Sequence, residues 1–168
     1  MSFSSSGIYG ALHMPMEMFL HAAKLKMRHV PTSGGGPAIT AVLGGHVELT
    51  AGGPAAISGH VKAGKMRPIV SWGGKRHEAF PAIPTFKELG YDIEYYIWAG
   101  MFAPRGTPEP VMKVLRDAAR KTVEDPDFKK TMANVNSPIQ YMDAPEFAKY
   151  WEADGKRLAA LVKVVGKV

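Results

Sequence analysis

The sequence predicts an α/β fold, an open and mainly parallel sheet with helices packed against it, and three observations carry that expectation. Segments rich in β-branched or aromatic residues alternate with segments whose apolar residues recur at helical spacing. Three glycine-bearing turns, Ser4–Gly10, Thr32–Pro37 and Ala51–Pro54, each run into a helical segment. At 168 residues the chain suffices for one domain, or for a domain and part of another.

The first element is the loop Ser4-Ser5-Ser6-Gly7-Ile8-Tyr9-Gly10 and the apolar run that follows it, with Leu12, Met16, Phe19, Leu20 and Ala23 on one helical face. A serine before such a run is a favoured N-cap, because its side-chain oxygen accepts from an otherwise unpaired amide. Glycines let the backbone approach a ligand and take positive φ. Hydroxyls, free amides and the positive end of a helix dipole together suit a carboxylate or a phosphate. At the level of residues two readings stand, half of a small-anion site and an ordinary capped helix.

Residues 26–31 read as a short strand ended by Pro31, and Thr32–Pro37 repeats the hydroxyl-and-glycine pattern before a helix over 38–43. His46–Thr50 alternates as a strand, and Ala51-Gly52-Gly53-Pro54 opens a helix over 55–63. Strands are expected at 65–72, 91–102 and 139–142, with a short helix over 83–90 between the first two. Thr107 is placed as an N-cap with Pro108 at the first helical position, ahead of helices over 111–124, 127–134 and 144–165. In open parallel sheets ligands sit beyond the carboxyl ends of strands, beside helix N-termini.

Composition narrows the function. Hydrophobic content of 46% and charged content of 21% are those of a globular domain, and no apolar run approaches the roughly 20 residues that span a bilayer. With no cysteine there are no disulfides, thiolate nucleophiles or Cys-based zinc sites. The net charge of +6 comes from 21 lysines and arginines spread along the chain rather than clustered with aromatics, so no nucleic-acid groove is expected. A positive field still draws in an anionic solute. Residues 1–3 lead directly into the serine loop without a basic and then apolar leader, so no signal peptide is expected in this sequence, which leaves export open.

Few residue constellations in the sequence carry chemistry. His13, Glu17 and His21 follow at steps of four and could ligate a metal, but Pro15 intervenes and no fourth ligand is evident, so no metal site is assigned. His29, His46, His60 and His77 are isolated in sequence, and the Gly-x-Ser-x-Gly elbow of a serine hydrolase is missing. Ser33–Gly36 is too short for a phosphate-binding loop. Neither a catalytic residue nor a cofactor is expected.

Segments taken in order, SSSGIYGALHM, VPTSGGGPAITAVLGGHVEL, GHVKAGKMRPI, PAIPTFKELGYDIEYYIWAGMFAPRGTPEPV and PEFAKYW, resemble the solute receptors of the tripartite tricarboxylate transporters, the Bug family. The resemblance implies a type II periplasmic-binding-protein fold, two α/β lobes with open mixed sheets flanked by helices, closing on a small organic carboxylate. It implies a periplasmic location, membrane transporter subunits as partners, and no enzymatic activity. The family's mature chain is nearly twice this length, so residues 1–95 are expected to form the second ligand-binding lobe. Residues 96–168 are expected to supply a crossover strand and C-terminal helices completing the first lobe. The family often has an aromatic residue where Thr32 stands. Gly52 takes a position that can be acidic, which disfavours amino-acid ligands and favours a plain carboxylate.

The residues expected to hold the solute are Ser5, Ser6, Gly7, Tyr9 and Gly10, then Ala51 and Gly52, with His13 as an orienting neighbour. Weak or no solute binding by this chain alone, and self-association through uncovered apolar faces, are expected. The rival readings are a small α/β enzyme acting on an anionic substrate and, behind it, a basic nucleic-acid-binding domain.

Overall fold

Strand β1 (Ser2–Ser5) is the centre of the sheet, although its sequence, SFSS, has little strand character. In the computed structural model, which describes residues 1–166, it lies between β2 (Arg28–Pro31) and β3 (Leu49–Thr50) in the order β2-β1-β3, both pairings parallel. The register pairs Ser2 with Arg28 and Phe3 with Leu49. The serines tolerate a central strand because their polar groups are satisfied. Ser2 donates its amide and hydroxyl to Glu48 Oε2 at 2.7 and 2.6 Å, and Ser4 Oγ donates to the Ala38 carbonyl at 2.7 Å. The two donors from Ser2 hold the Glu48 carboxyl below its usual range.

Each strand runs into a helix: α1 (Met14–Ala22) after β1, α2 (Gly35–Leu43) after β2 and α3 (Pro54–Lys62) after β3. Parallel neighbours need such crossovers, which makes the expected α/β alternation the architecture of this region. Phe3, fully buried, gathers Leu12, Met16, Leu20 and Ala51 into the core, with Phe19, Met27, Leu49 and Trp72 packed around them. Trp72 also donates its indole N–H to the Pro15 carbonyl at 3.0 Å.

Residues 63–108 hold no regular helix or strand, so the strands expected at 65–72 and 91–102 are not formed. Their backbones have no ladder to join among the described residues. A single parallel bridge links Ser71 to Thr85, and Tyr95 N–H reaches the Trp72 carbonyl at 3.0 Å. The expected helix over 83–90 is a capped turn. Thr85 and Glu88 cap each other reciprocally, with Thr85 N–H to Glu88 Oε2 at 2.7 Å and Glu88 N–H to Thr85 Oγ1 at 3.2 Å, and Gly90 ends it at φ +86°. Residues 139–142 likewise form no strand.

Three further helices follow: α4 (Glu109–Glu124), α5 (Pro126–Asn134) and α6 (Ala144–Val165). Thr107 does not cap α4. Its hydroxyl donates to the Pro104 carbonyl, and Pro108, at ψ 140°, is still extended, so the helix starts at Glu109. Asp125 caps α5 by accepting from the amides of Asp127 and Phe128, both at 2.9 Å. Among the described residues no helix is long and apolar enough to cross a membrane.

The chain divides into two compact units: Met1–Ile97 with the chain from Ala160 onward, and Trp98–Ala159. The first holds the sheet and α1 to α3. In the second, Trp98 meets Phe147 edge-on at 5.3 Å and donates to Asp154 Oδ2 at 3.0 Å, while Phe102 packs against Trp151. Asp143 takes two bonds from Arg116, each 2.9 Å, and one from Arg120 at 3.0 Å, which holds its carboxyl far below the usual range.

Candidate functional site

In an open parallel sheet the crevice for a ligand opens where successive connections leave in opposite directions. With β1 flanked by β2 on one side and β3 on the other, that point lies beyond the carboxyl ends of β1 and β3. Ser5 ends β1 and Thr50 ends β3, so the Ser6–Gly10 turn and Ala51–Gly52 emerge side by side at this end of the sheet. The N-termini of α1, α2 and α3 follow the same three strand ends.

The serine loop is built differently from a simple cap. Its serines belong to β1 and the following turn, α1 begins only at Met14, and its N-cap, His13, makes no side-chain cap bond. The expected serine N-cap is therefore absent, because the chain spends residues 6–13 on turns before the helix can start.

Ser5 is fully enclosed. Its hydroxyl lies 2.6 Å from His29 Nε2 and 3.1 Å from the Gly7 carbonyl, and it accepts from Gly7 N–H at 3.3 Å. Its carbonyl accepts Thr32 N–H at 3.0 Å and Thr32 Oγ1–H at 2.8 Å, which ties the loop after β2 to the end of β1. Ser6 is half-buried, and its hydroxyl makes no hydrogen bond among the described residues. Gly7 sits at φ +121°, a conformation open to glycine. A Cβ on Gly10 would stand 3.0 Å from Ser6 Oγ and 3.1 Å from the Gly7 carbonyl, so glycine lets this turn close.

Tyr9 has left-handed backbone, φ +57°, and its amide donates to His13 Nδ1 at 2.9 Å. Its hydroxyl is committed to the Gly166 carbonyl at 2.5 Å. His13 is fully buried, with Nε2 3.2 Å from Glu17 Oε1. Across the sheet end, Ala51 is buried, and Thr50 Oγ1 donates to the Ser4 carbonyl at 3.0 Å. A Cβ on Gly52 would come within 2.7 Å of Ile57 Cγ2, so any side chain there must displace Ile57.

His29 is the residue sequence reasoning missed. It stacks on His13 with ring centres 3.9 Å apart and planes 12° apart, and on Phe3 at 4.9 Å. Burial lowers the basicity of both imidazoles, and His29 is lowered further by His13 although Glu17 opposes this. Burial raises the Glu17 carboxyl, against the pull of His29. The one available signal was that residues 26–31 read as a strand next to the serine loop, which brings a strand histidine to that loop's side.

An open groove of about 630 Å³ lies against Leu20, Leu25 and Met27 on the β2 side. Ile8 of the loop, Glu17, His21, Lys26 and His29 also line it, so it borders the cluster. The amides and hydroxyls at the sheet end suit an anion.

Comparison with known proteins follows the same lines. The UPF0065 protein in the gbd 5'region of Cupriavidus necator is 31% identical over 166 residues, 99% of this chain and 50% of that protein. The periplasmic binding protein BugD superposes with a TM-score of 0.89 at 27% identity, over 97% of this chain and 56% of that one. MatC from Rhodopseudomonas palustris, solved with bound malate, gives a TM-score of 0.86 at 25% identity. It is matched over a like share of each chain. The chain thus spans about half the length of the relatives it matches, and its periplasmic-binding-protein-like fold is theirs. Residues 1–167 match the family described as tripartite tricarboxylate transporter family receptor, TctC, and the chain belongs to that family.

Proposed function

We propose that this chain takes part in capturing a small organic carboxylate in the periplasm, for delivery to the membrane subunits of a tripartite tricarboxylate-type transporter. The observation that carries the reading is a parallel sheet whose strands each lead into a helix, with glycine-bearing turns leaving the carboxyl ends of β1 and β3 side by side. The malate held by MatC, and the receptor role in the family's description, support it. In this reading the amides of Ser6 and Gly52 and the Ser6 hydroxyl replace water around the anion, while Gly7 and Gly10, whose amides go to Ser5 Oγ and the Gly7 carbonyl, shape the turn. Ser5, Tyr9, His13 and Ala51 hold the two turns in shape. Residues 1–95 act as one lobe and 96–168 as the returning part of the other.

The role is capture without chemistry. One observation favours a second reading, the Ser5 Oγ to His29 Nε2 distance of 2.6 Å, which resembles a nucleophile and its base. The Ser5 hydroxyl is fully enclosed, so no substrate carbonyl reaches it, and the contact is read as structural.

An ¹⁵N-labelled chain titrated with malate, with neutral succinamide as control, tests the proposal. Saturable shifts at Ser6 and Gly52 are expected, with millimolar affinity, about −4 kcal/mol. Ser6→Ala is expected to weaken it by about 1 kcal/mol, the worth of one hydrogen bond. Shifts confined to other residues, or equal shifts with succinamide, would sink it. Exposed Val114, Met101 and Trp151 are proposed to drive self-association, and light scattering that stays monomeric with rising concentration would count against that.

A further inference from the structure

The contacts of His13 fix where its proton is. An amide N–H only donates, so Nδ1, 2.9 Å from Tyr9 N, is the bare accepting nitrogen, and the ring proton sits on Nε2 facing Glu17. That bond holds Tyr9 at φ +57°, a conformation uncommon for a bulky residue. A second proton on His13 can go only to Nδ1, where it would face the Tyr9 N–H donor to donor.

His29 responds differently. Its Nε2 partner is a hydroxyl, which can accept from a protonated ring and turn its own proton to the Gly7 carbonyl 3.1 Å away. Protonation of His29 therefore keeps the Ser5 contact, but sets a cation face to face with His13 at 3.9 Å. The groups around the pair are Glu17 on α1, Tyr9 in the loop, and His21 and Lys26, which line the groove beside His29; Arg28, next to His29 on β2, points to the other face of the sheet. Phe3 covers the remaining face of His29. Only Glu17 favours a cation there, while burial and the neighbouring imidazole oppose it.

We propose that His13 is a positioning residue of the anion loop that works only as the neutral Nε2–H tautomer, so that its protonation releases Tyr9 and the Ser6–Gly10 turn and weakens solute binding in acid. The binding half rests on the proposed role of this loop. The sign is opposite to that of simple attraction, in which a protonated histidine near the site would strengthen anion binding.

The test uses the ¹⁵N-labelled chain, first without solute, between about pH 8 and pH 5, the range in which histidine titrates. His13 ring nitrogens are expected to show the Nε2–H tautomer at the upper end. Tyr9 amide protection, corrected for intrinsic exchange, is expected to fall about tenfold as His13 titrates, the upper end of what one neutral hydrogen bond contributes. His13→Asn offers an Oδ1 acceptor that does not titrate and keeps Tyr9 protected throughout. His13→Gln reaches toward Glu17 instead and leaves Tyr9 unprotected at every pH.

In the second arm, ethane-1,2-disulfonate, whose charge is constant over this range, is expected to bind about fivefold more weakly at the acid end. In His13→Asn its affinity is expected to stay level. An Nδ1–H tautomer, Tyr9 protection that ignores the His13 titration, or affinity that rises in acid would overturn the proposal, and the wild-type measurements need no variant to fold. Tyr9 following His13 while the disulfonate binds nowhere would support the latch and overturn the loop's role as an anion site.

Discussion

Helices α1 and α4 make an instructive pair. The sequence of α1, MPMEMFLHA, segregates polar and apolar residues weakly, yet it buries Met14, Pro15, Met16 and Leu20. That of α4, EPVMKVLRDAARKTVE, separates them strongly, yet none of its described residues is buried and Val114 is 67% exposed. Periodicity tells which face of a helix is apolar, and a covering layer decides whether that face is buried. For α1 the layer is a sheet strand carrying Phe3.

The largest expected effect follows directly. Phe3→Ala should cost about 3–5 kcal/mol, read as a lower urea midpoint, as for other buried aromatic truncations. Val114→Ala on α4 should stay within about 0.5 kcal/mol of wild type, and a cost near that of Phe3→Ala would erase the contrast. Next comes Gly52→Ala, where the new methyl meets Ile57 Cγ2. It should cost about 1–3 kcal/mol, and paired with Ile57→Ala the loss should be less than the sum of the two. In the helical unit the largest single-residue loss should be at a cap: Asp125→Ala is expected to cost about 1 kcal/mol, with α5 fraying in hydrogen exchange.

The smallest expected effect is in pH, and it separates the two regions. His13 and His29 lie below the ordinary value of 6.5, so the folded chain holds fewer protons on them than the unfolded chain does. Their contribution is complete above that value and is lost as pH falls through the folded values. Asp143 is also depressed, from 3.8, so its contribution persists through mild acid and goes only in much stronger acid. Fluorescence of Trp72 should therefore respond to acid before that of Trp98 and Trp151, in variants retaining one tryptophan type each. A simultaneous response would dissolve the distinction.

What could be read in the sequence, and what could not, has the same physical origin. Helices α1 to α3 and their glycine turns were legible because spacing and turn chemistry are local. Strand β1 was not, since SFSS reads as a hydroxyl loop until Glu48 and the Ala38 carbonyl supply partners from far along the chain. Residues 91–102 have the composition of a strand, but composition supplies no neighbour to pair with. At the candidate site the serine and glycine residues were visible, and the sheet brings Ser5 and Ala51 to one end as a parallel order requires. The His29 contact depended on β2 lying beside β1 and could not be counted out from spacing. Nor could the commitment of the Tyr9 hydroxyl to Gly166, which leaves that residue its backbone and ring for any other role.

The order β2-β1-β3 also has a consequence in time. The middle strand is the earliest of the three along the chain, and neither neighbour is close to it in sequence: Ser2 is matched by Arg28, and Phe3 by Leu49. During synthesis β1 emerges first and must wait through two whole helices before its second partner exists. Closing those long loops comes before any ladder energy is gained, so this small sheet should fold late and in one step. Until then Phe3 has no core to enter.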